Sequence, residues 1–190
     1  MVKFTKREQK LLGVKLMKIK RLCGFCINEW HLTTMILPYL NEKINEEYKI
    51  ITILEKNIEN NIKVLTEKLN LKNEEKIKNI NWSKVLSKKY KDIKMQLEKT
   101  ILNQKNNIIL VYGDKEYIDY TNKNIEKWIK ENNELNTSVI IINCYNIEEF
   151  NYNIEEILDK HDKILNTSGE KEKEEIFTDY IKSEKKAKII

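Results

Sequence analysis

The sequence is poor in residues that break or redirect a chain. One proline and four glycines occur in 190 residues. That scarcity leaves little room for a long flexible linker, and the length suits one domain with a core of its own. The glycines, Gly13, Gly24, Gly113 and Gly169, stand too far apart for a GxxxxGKS/T phosphate loop or a GxGxxG dinucleotide turn. Their spacing argues against a P-loop nucleotidase and against a Rossmann oxidoreductase. The HExxH and GxSxG patterns are absent as well. With only two histidines, His31 and His161, a histidine-based triad or metal site has few candidates, and no cofactor is implied. No apolar run approaches the roughly 20 residues that span a bilayer. The three cysteines, an odd number without a signal peptide, point to a reducing compartment. The expectation is a cytoplasmic protein without a membrane span.

Charge is plentiful but uneven. Residues 1–21 carry eight Lys or Arg against one acid, Glu8, a charge of +7; since the whole chain is +5, the remainder is −2. Any general attraction to nucleic acid therefore belongs to this arm, with Lys15, Lys18, Lys20 and Arg21 as candidate polyanion contacts. Residues 1–20 read as a basic helix with Leu12, Leu16 and Ile19 on one face. Docking on the domain and binding a partner or polyanion are both open to it.

Two short apolar runs organise the rest. Ile108 to Tyr112 is β-branched and aromatic and stops at Gly113-Asp114; Val139 to Ile142 runs into Asn143-Cys144-Tyr145. Runs of this kind are how strands buried on both faces look. Between them Tyr117, Ile118, Ile125, Trp128 and Ile129 recur at helical spacing. Strand, helix, strand implies a crossover between parallel strands. Strands are predicted near 22–27, 48–54, 107–112 and 138–144. Helices are predicted from Thr33 or Thr34 to Ile44, along Ile58, Ile62, Leu65 and Leu69, over Val85–Leu102, over Glu148–Leu158, and around Ile176 to Ile181. Residues 70–82 read as irregular. The alternation predicts an α/β fold, a three-layer sandwich on a mostly parallel sheet. The expected organisation is an arm over 1–21, one α/β domain over 22–176 and a charged tail over 177–190.

Cys23-Gly24-Phe25-Cys26 is a CxxC, a candidate thiol pair. On a strand its two cysteines point to opposite faces, which favours buried structural thiols over a redox switch or metal site. Ligands of open α/β sheets bind at the carboxyl ends of the strands. That rule makes Asp114, Cys144 and Tyr145 candidate ligand-binding residues, with His161 at the rim. Asp114 as a helix cap and His161 as a helix-terminus group remain alternative readings.

In order, Ile109 to Asp114, Ile141 to Tyr145, then Ile157-Leu158-Asp159 and His161 resemble the second half of the MEDS domain. This is a sensory domain named for methanogens, methylotrophs and the DcmR-type regulator. Cys23-Gly24-Phe25, Leu37-Pro38-Tyr39-Leu40 and Glu47-Tyr48 resemble its first half, so the resemblance runs from Leu22 to Ile176. Arg21, Lys43 or Ile44, and Ile129 stand where the family has His, Gly and an acid. The resemblance implies a RecA- or KaiC-like core without a P-loop. It implies a sensory, non-enzymatic signalling role beside a kinase, anti-sigma module or transcriptional regulator. The expected function is a stand-alone regulatory domain that binds a small ligand or a signalling partner and acts by association. The alternative is a nucleic-acid-associated regulator that binds through the basic arm.

Overall fold

A computed structural model describes residues 17–85, 89–102, 104–147 and 154–178. The strands are β1 (Lys18–Cys26), β2 (Lys49–Leu54), β3 (Asn106–Gly113), β4 (Ser138–Asn146), β5 (Lys163–Asn166) and β6 (Gly169–Lys171). The helices are α1 (Glu29–Asn45), α2 (Glu59–Leu69), α3 (Glu74–Lys78), α4 (Tyr90–Ile101), α5 (Lys115–Glu131), α6 (Ile154–Asp159) and α7 (Lys173–Ile176). They form an α/β sandwich of three layers. The central sheet has the order β2-β3-β4-β1-β5-β6 and is parallel except for the β5–β6 hairpin at one edge.

Alternation along the strands sorts the core into two faces. Ile108, Leu110 and Tyr112 of β3 and Ile140, Ile142 and Cys144 of β4 join Leu32, Ile36 and Leu40 of α1 in one cluster. Ile109 and Val111 of β3 and Val139, Ile141 and Tyr145 of β4 join Leu97 of α4, Ile125 and Trp128 of α5, and Ile157 of α6 in the other. A fully buried Ile or Leu contributes about 1.5–3 kcal/mol, so these paired rows are the main source of stability.

The structure moves several sequence-predicted boundaries. β1 begins at Lys18, because Lys18 to Arg21 pair in register with Ser138 to Ile141 of β4. Residues 18–20 are therefore strand, not helix, while residues 1–16 lie outside the described residues. α1 starts at Glu29, where the Asn28 side chain accepts from the His31 N–H at 2.9 Å. Pro38 consequently stands inside this helix, on its exposed side. The segment 70–82 contains α3, and buried Trp82 donates its Nε1–H to the Ile77 carbonyl at 2.8 Å. The described part of the helix predicted over 85–102 is α4. Of the helix predicted over 148–158 only residues from Ile154 on are described, and Tyr180 and Ile181 fall outside. The β5–β6 hairpin was not foreseen: each strand is too short to show alternation. Glu170 pins it, accepting from the Tyr39 hydroxyl at 2.8 Å and pairing with Lys20.

β4 is the shift with most consequence. It continues to Asn146, held by β1 as far as the Cys26–Asn146 pair. Cys144 and Tyr145 are thus inside the strand, not at its carboxyl end.

Candidate functional site

The carboxyl ends of β2 and β3 meet at Glu55, Gly113 and Asp114. Asp114 is exposed and caps α5, its Oδ1 accepting from the Tyr117 N–H at 2.6 Å. Its own N–H donates to Glu55 Oε2 at 2.9 Å. A Cβ on Gly113 would stand 2.6 Å from that same Glu55 oxygen, so glycine is what allows the carboxylate in. The positive end of α5, a natural place for an anion, is met by the chain's own Asp114 and Glu55. At the start of α1 Glu29 likewise accepts from the Tyr112 hydroxyl at 3.2 Å and pairs with Lys56 at 3.2 Å.

Of the four candidate ligand residues only Tyr145 and His161 meet, and the four do not form one pocket. Cys144 is fully buried on the α1 face. Tyr145, 1% exposed, packs on the opposite face between Phe25 and His161, each ring centroid 6.0 Å away. Asp114 stays at the carboxyl edge. His161 lies beneath the α5–α6 face, 4% exposed. Cys23 and Cys26 point to opposite faces, as strand geometry requires, with burial pushing both thiols up to about 12. Cys26 Sγ lies 3.4 Å from the Tyr145 carbonyl, and Cys144 is pushed well above the usual thiol value, also by burial. Of the candidate polyanion contacts Lys15 lies outside the described residues. Lys18 is exposed, Lys20 is paired with Glu170, and Arg21 reaches Glu126 at 3.2 Å.

What the structure does bring together with His161 is Asn143. Along the α5–α6 face β4 reads Val139, Ile141, Asn143, Tyr145, so an amide interrupts an apolar row. Asn143 is 1% exposed, and its Nδ2 lies 2.8 Å from His161 Nε2. His161 Nδ1 lies 2.6 Å from the Ile157 carbonyl. Burial, followed in effect by that carbonyl, shapes the ring's titration: the net result is a pKa lowered to about 4, with Arg21 and Lys173 adding to the decrease. Asn143 Oδ1 has no hydrogen-bond partner among the described residues. Leaving a buried acceptor unpaired costs about 1–3 kcal/mol.

Asn143 and His161 line a cleft of about 550 Å³ between β1, α5 and α6. Its walls follow from helix and strand periods. Asp119, Lys123 and Glu126 recur along one face of α5, Glu156 and Lys160 are a turn apart, and Arg21 shares its side of β1 with Cys23. The walls are laced with ion pairs: Arg21 to Glu126, Lys160 to Glu156 at 2.7 Å, and Lys115 to Asp119 at 2.7 Å and Glu156 at 3.4 Å. Lys123 enters no ion pair among the described residues. Sequence reasoning placed Asn143 near the end of the strand predicted over 138–144 and gave it no role. The signal was there, an amide inside a row otherwise apolar at every second position.

A slightly larger groove, about 620 Å³, runs along the open edge of β2 past Tyr48, Ile50 and Lys99. Among the described residues, no buried side-chain polar atom of its lining is without a partner. Gln96 donates to the Thr52 carbonyl at 3.0 Å, and the Thr52 hydroxyl donates to the Asn81 carbonyl. The orphaned acceptor, not volume, singles out the cleft over Asn143. Among the described residues no cluster of His, Cys, Asp or Glu is arranged to hold a metal, and no helix is long and apolar enough to cross a membrane. No family model, no curated protein and no solved structure matches this chain.

Proposed function

We propose that this chain is a regulatory domain of the MEDS sensory type. It binds a small polar ligand in the cleft between β1, α5 and α6, and it signals by associating with a partner protein rather than by catalysis. The observation that carries the reading is the buried Oδ1 of Asn143, unpaired among the described residues, on a residue that lines that cleft. A polar group held at a cost to stability in the lining of a concave site supports a binding role. The non-catalytic half of the reading is supported by the groups that surround it. His161 uses both ring nitrogens within the fold, and the thiols of Cys23 and Cys26 are held far above the range in which a thiolate forms.

Thermal-shift screening of a metabolite and nucleotide library tests the proposal. A ligand at 100 times its Kd stabilises the native state by about 2.7 kcal/mol, a readily measured shift. Affinity capture with and without the hit then tests association. A library that moves no melting temperature, together with a bait that captures no partner, would sink the reading.

A further inference from the structure

The hydrogen bonds beneath the cleft fix more than the position of Asn143. The Ile157 carbonyl only accepts, so the proton of the neutral His161 ring sits on Nδ1, 2.6 Å from that oxygen. Nε2 is then a bare lone pair. The Asn143 atom 2.8 Å from it has to be the donating amide nitrogen. Asn143 cannot turn its amide over without setting an oxygen against that lone pair. Its Oδ1 is therefore locked as an acceptor, and it is the unpartnered atom of the pair.

Among the charged groups of the walls one is unmet. Glu126 is held by Arg21, Glu156 by Lys160 and Lys115, and Asp119 by Lys115. Lys160 is also within 3.9 Å of Asp119. Lys123 alone of the lining cations is in no ion pair among the described residues. Asn143, with its fixed and buried acceptor, and Lys123, with a spare positive charge, thus line the same cleft. The complement is a molecule with an N–H or O–H donor at one end and an anionic group at the other. A bare amine would find the wall acids already paired. A simple carboxylate would meet Lys123 and leave Oδ1 unsatisfied.

Building on the ligand-binding reading above, we propose that the cleft over Asn143 takes a small amino or hydroxy acid, its donor on Asn143 Oδ1 and its carboxylate toward Lys123. The test is a titration of the full chain followed by backbone amide NMR. The probes are the standard amino acids, glycolate, L-lactate and L-malate. Matched controls are acetate and succinate, which lack the donor, and ethanolamine and glycerol, which lack the anion. At least one probe of the first group shifts the amides of Lys123, Asn143 and His161 and binds about tenfold or more tighter than every control. Lys123→Ala, on the exposed face of α5, weakens that probe about tenfold without altering the fold. Asn143→Leu does the same where it folds. A control that binds the cleft as tightly as the acids overturns the ligand class and leaves the binding reading standing. Unchanged affinity in Lys123→Ala overturns the proposed orientation. If no acid, no control and no compound of the wider library moves the cleft amides, the reading beneath the proposal falls with it.

Discussion

Asn143 and His161, 18 residues apart in the chain, are joined by a side-chain hydrogen bond of 2.8 Å inside the protein. The bond ties the middle of β4 to the turn that follows α6. It also makes a neutral imidazole part of the fold.

The neutral ring has a pH signature. The folded His161 pKa is lowered from 6.5 to about 4, so between these values the unfolded chain binds a proton that the folded chain does not. The stability due to the neutral ring is fully present above pH 6.5 and is lost as pH falls toward 4. The full difference is on the order of 3 kcal/mol. Urea midpoints measured from pH 7.5 down to 4.5 should fall. In His161→Gln, which has no proton to gain there, the slope over this window should flatten. A midpoint independent of pH in the parent protein would show that the ring is charged or exposed.

The thiols make a second expectation. Cys23, Cys26 and Cys144 are buried and free, and burial holds all three in the protonated form. An aromatic disulfide reagent at pH 8 should leave the native protein unmodified for many minutes, then react with three thiols per chain once denaturant is added. Fast reaction of one thiol in the native state would mean that its strand opens locally.

Tyr145 was expected at a pocket edge, where its loss would spare the fold. It is 1% exposed, between Phe25 and His161. Tyr145→Ala should now cost about 3–5 kcal/mol, as large-to-small changes in a core do. Chemical denaturation against Tyr145→Phe, which keeps the ring, checks this. A melting temperature within a few degrees of the parent would return Tyr145 to the surface.

The difference between these two positions for Tyr145 shows what the sequence could convey. The four long parallel strands were legible because Ile108 to Tyr112 and Val139 to Ile142 are unbroken apolar runs bounded by turn residues. Crossover helix α5 was legible from the spacing of Tyr117, Ile118, Ile125 and Trp128. Where β4 stops was not legible. Asn143 resembles a turn residue locally, and only pairing with β1, 120 residues away in register, carries the strand to Asn146. Two residues of extra strand turn Cys144 to one face and Tyr145 to the other, which dissolves the expected pocket. The β5–β6 hairpin escaped for a related reason: its place is set by contacts with β1 and α1, not by its own composition.

The buried pair itself allows a sharper test of whether it is kept for stability. Asn143→Leu removes the orphaned Oδ1 but leaves His161 Nε2 without its donor. His161→Phe removes the ring nitrogens but leaves the Asn143 amide buried with nothing to bond. Each single change therefore strands a polar group and should cost about 1–3 kcal/mol. The double change strands neither. The Ile157 carbonyl that loses His161 still accepts from the Lys160 N–H at 3.2 Å. Asn143→Leu with His161→Phe should accordingly be more stable than either single variant, and close to or above the parent, by urea denaturation at pH 7.5. In the same preparation the NMR response to amino and hydroxy acids should be gone. A double variant as unstable as the two costs added together would mean that the pair is a structural fixture. Its unpaired acceptor would then need another explanation than a ligand.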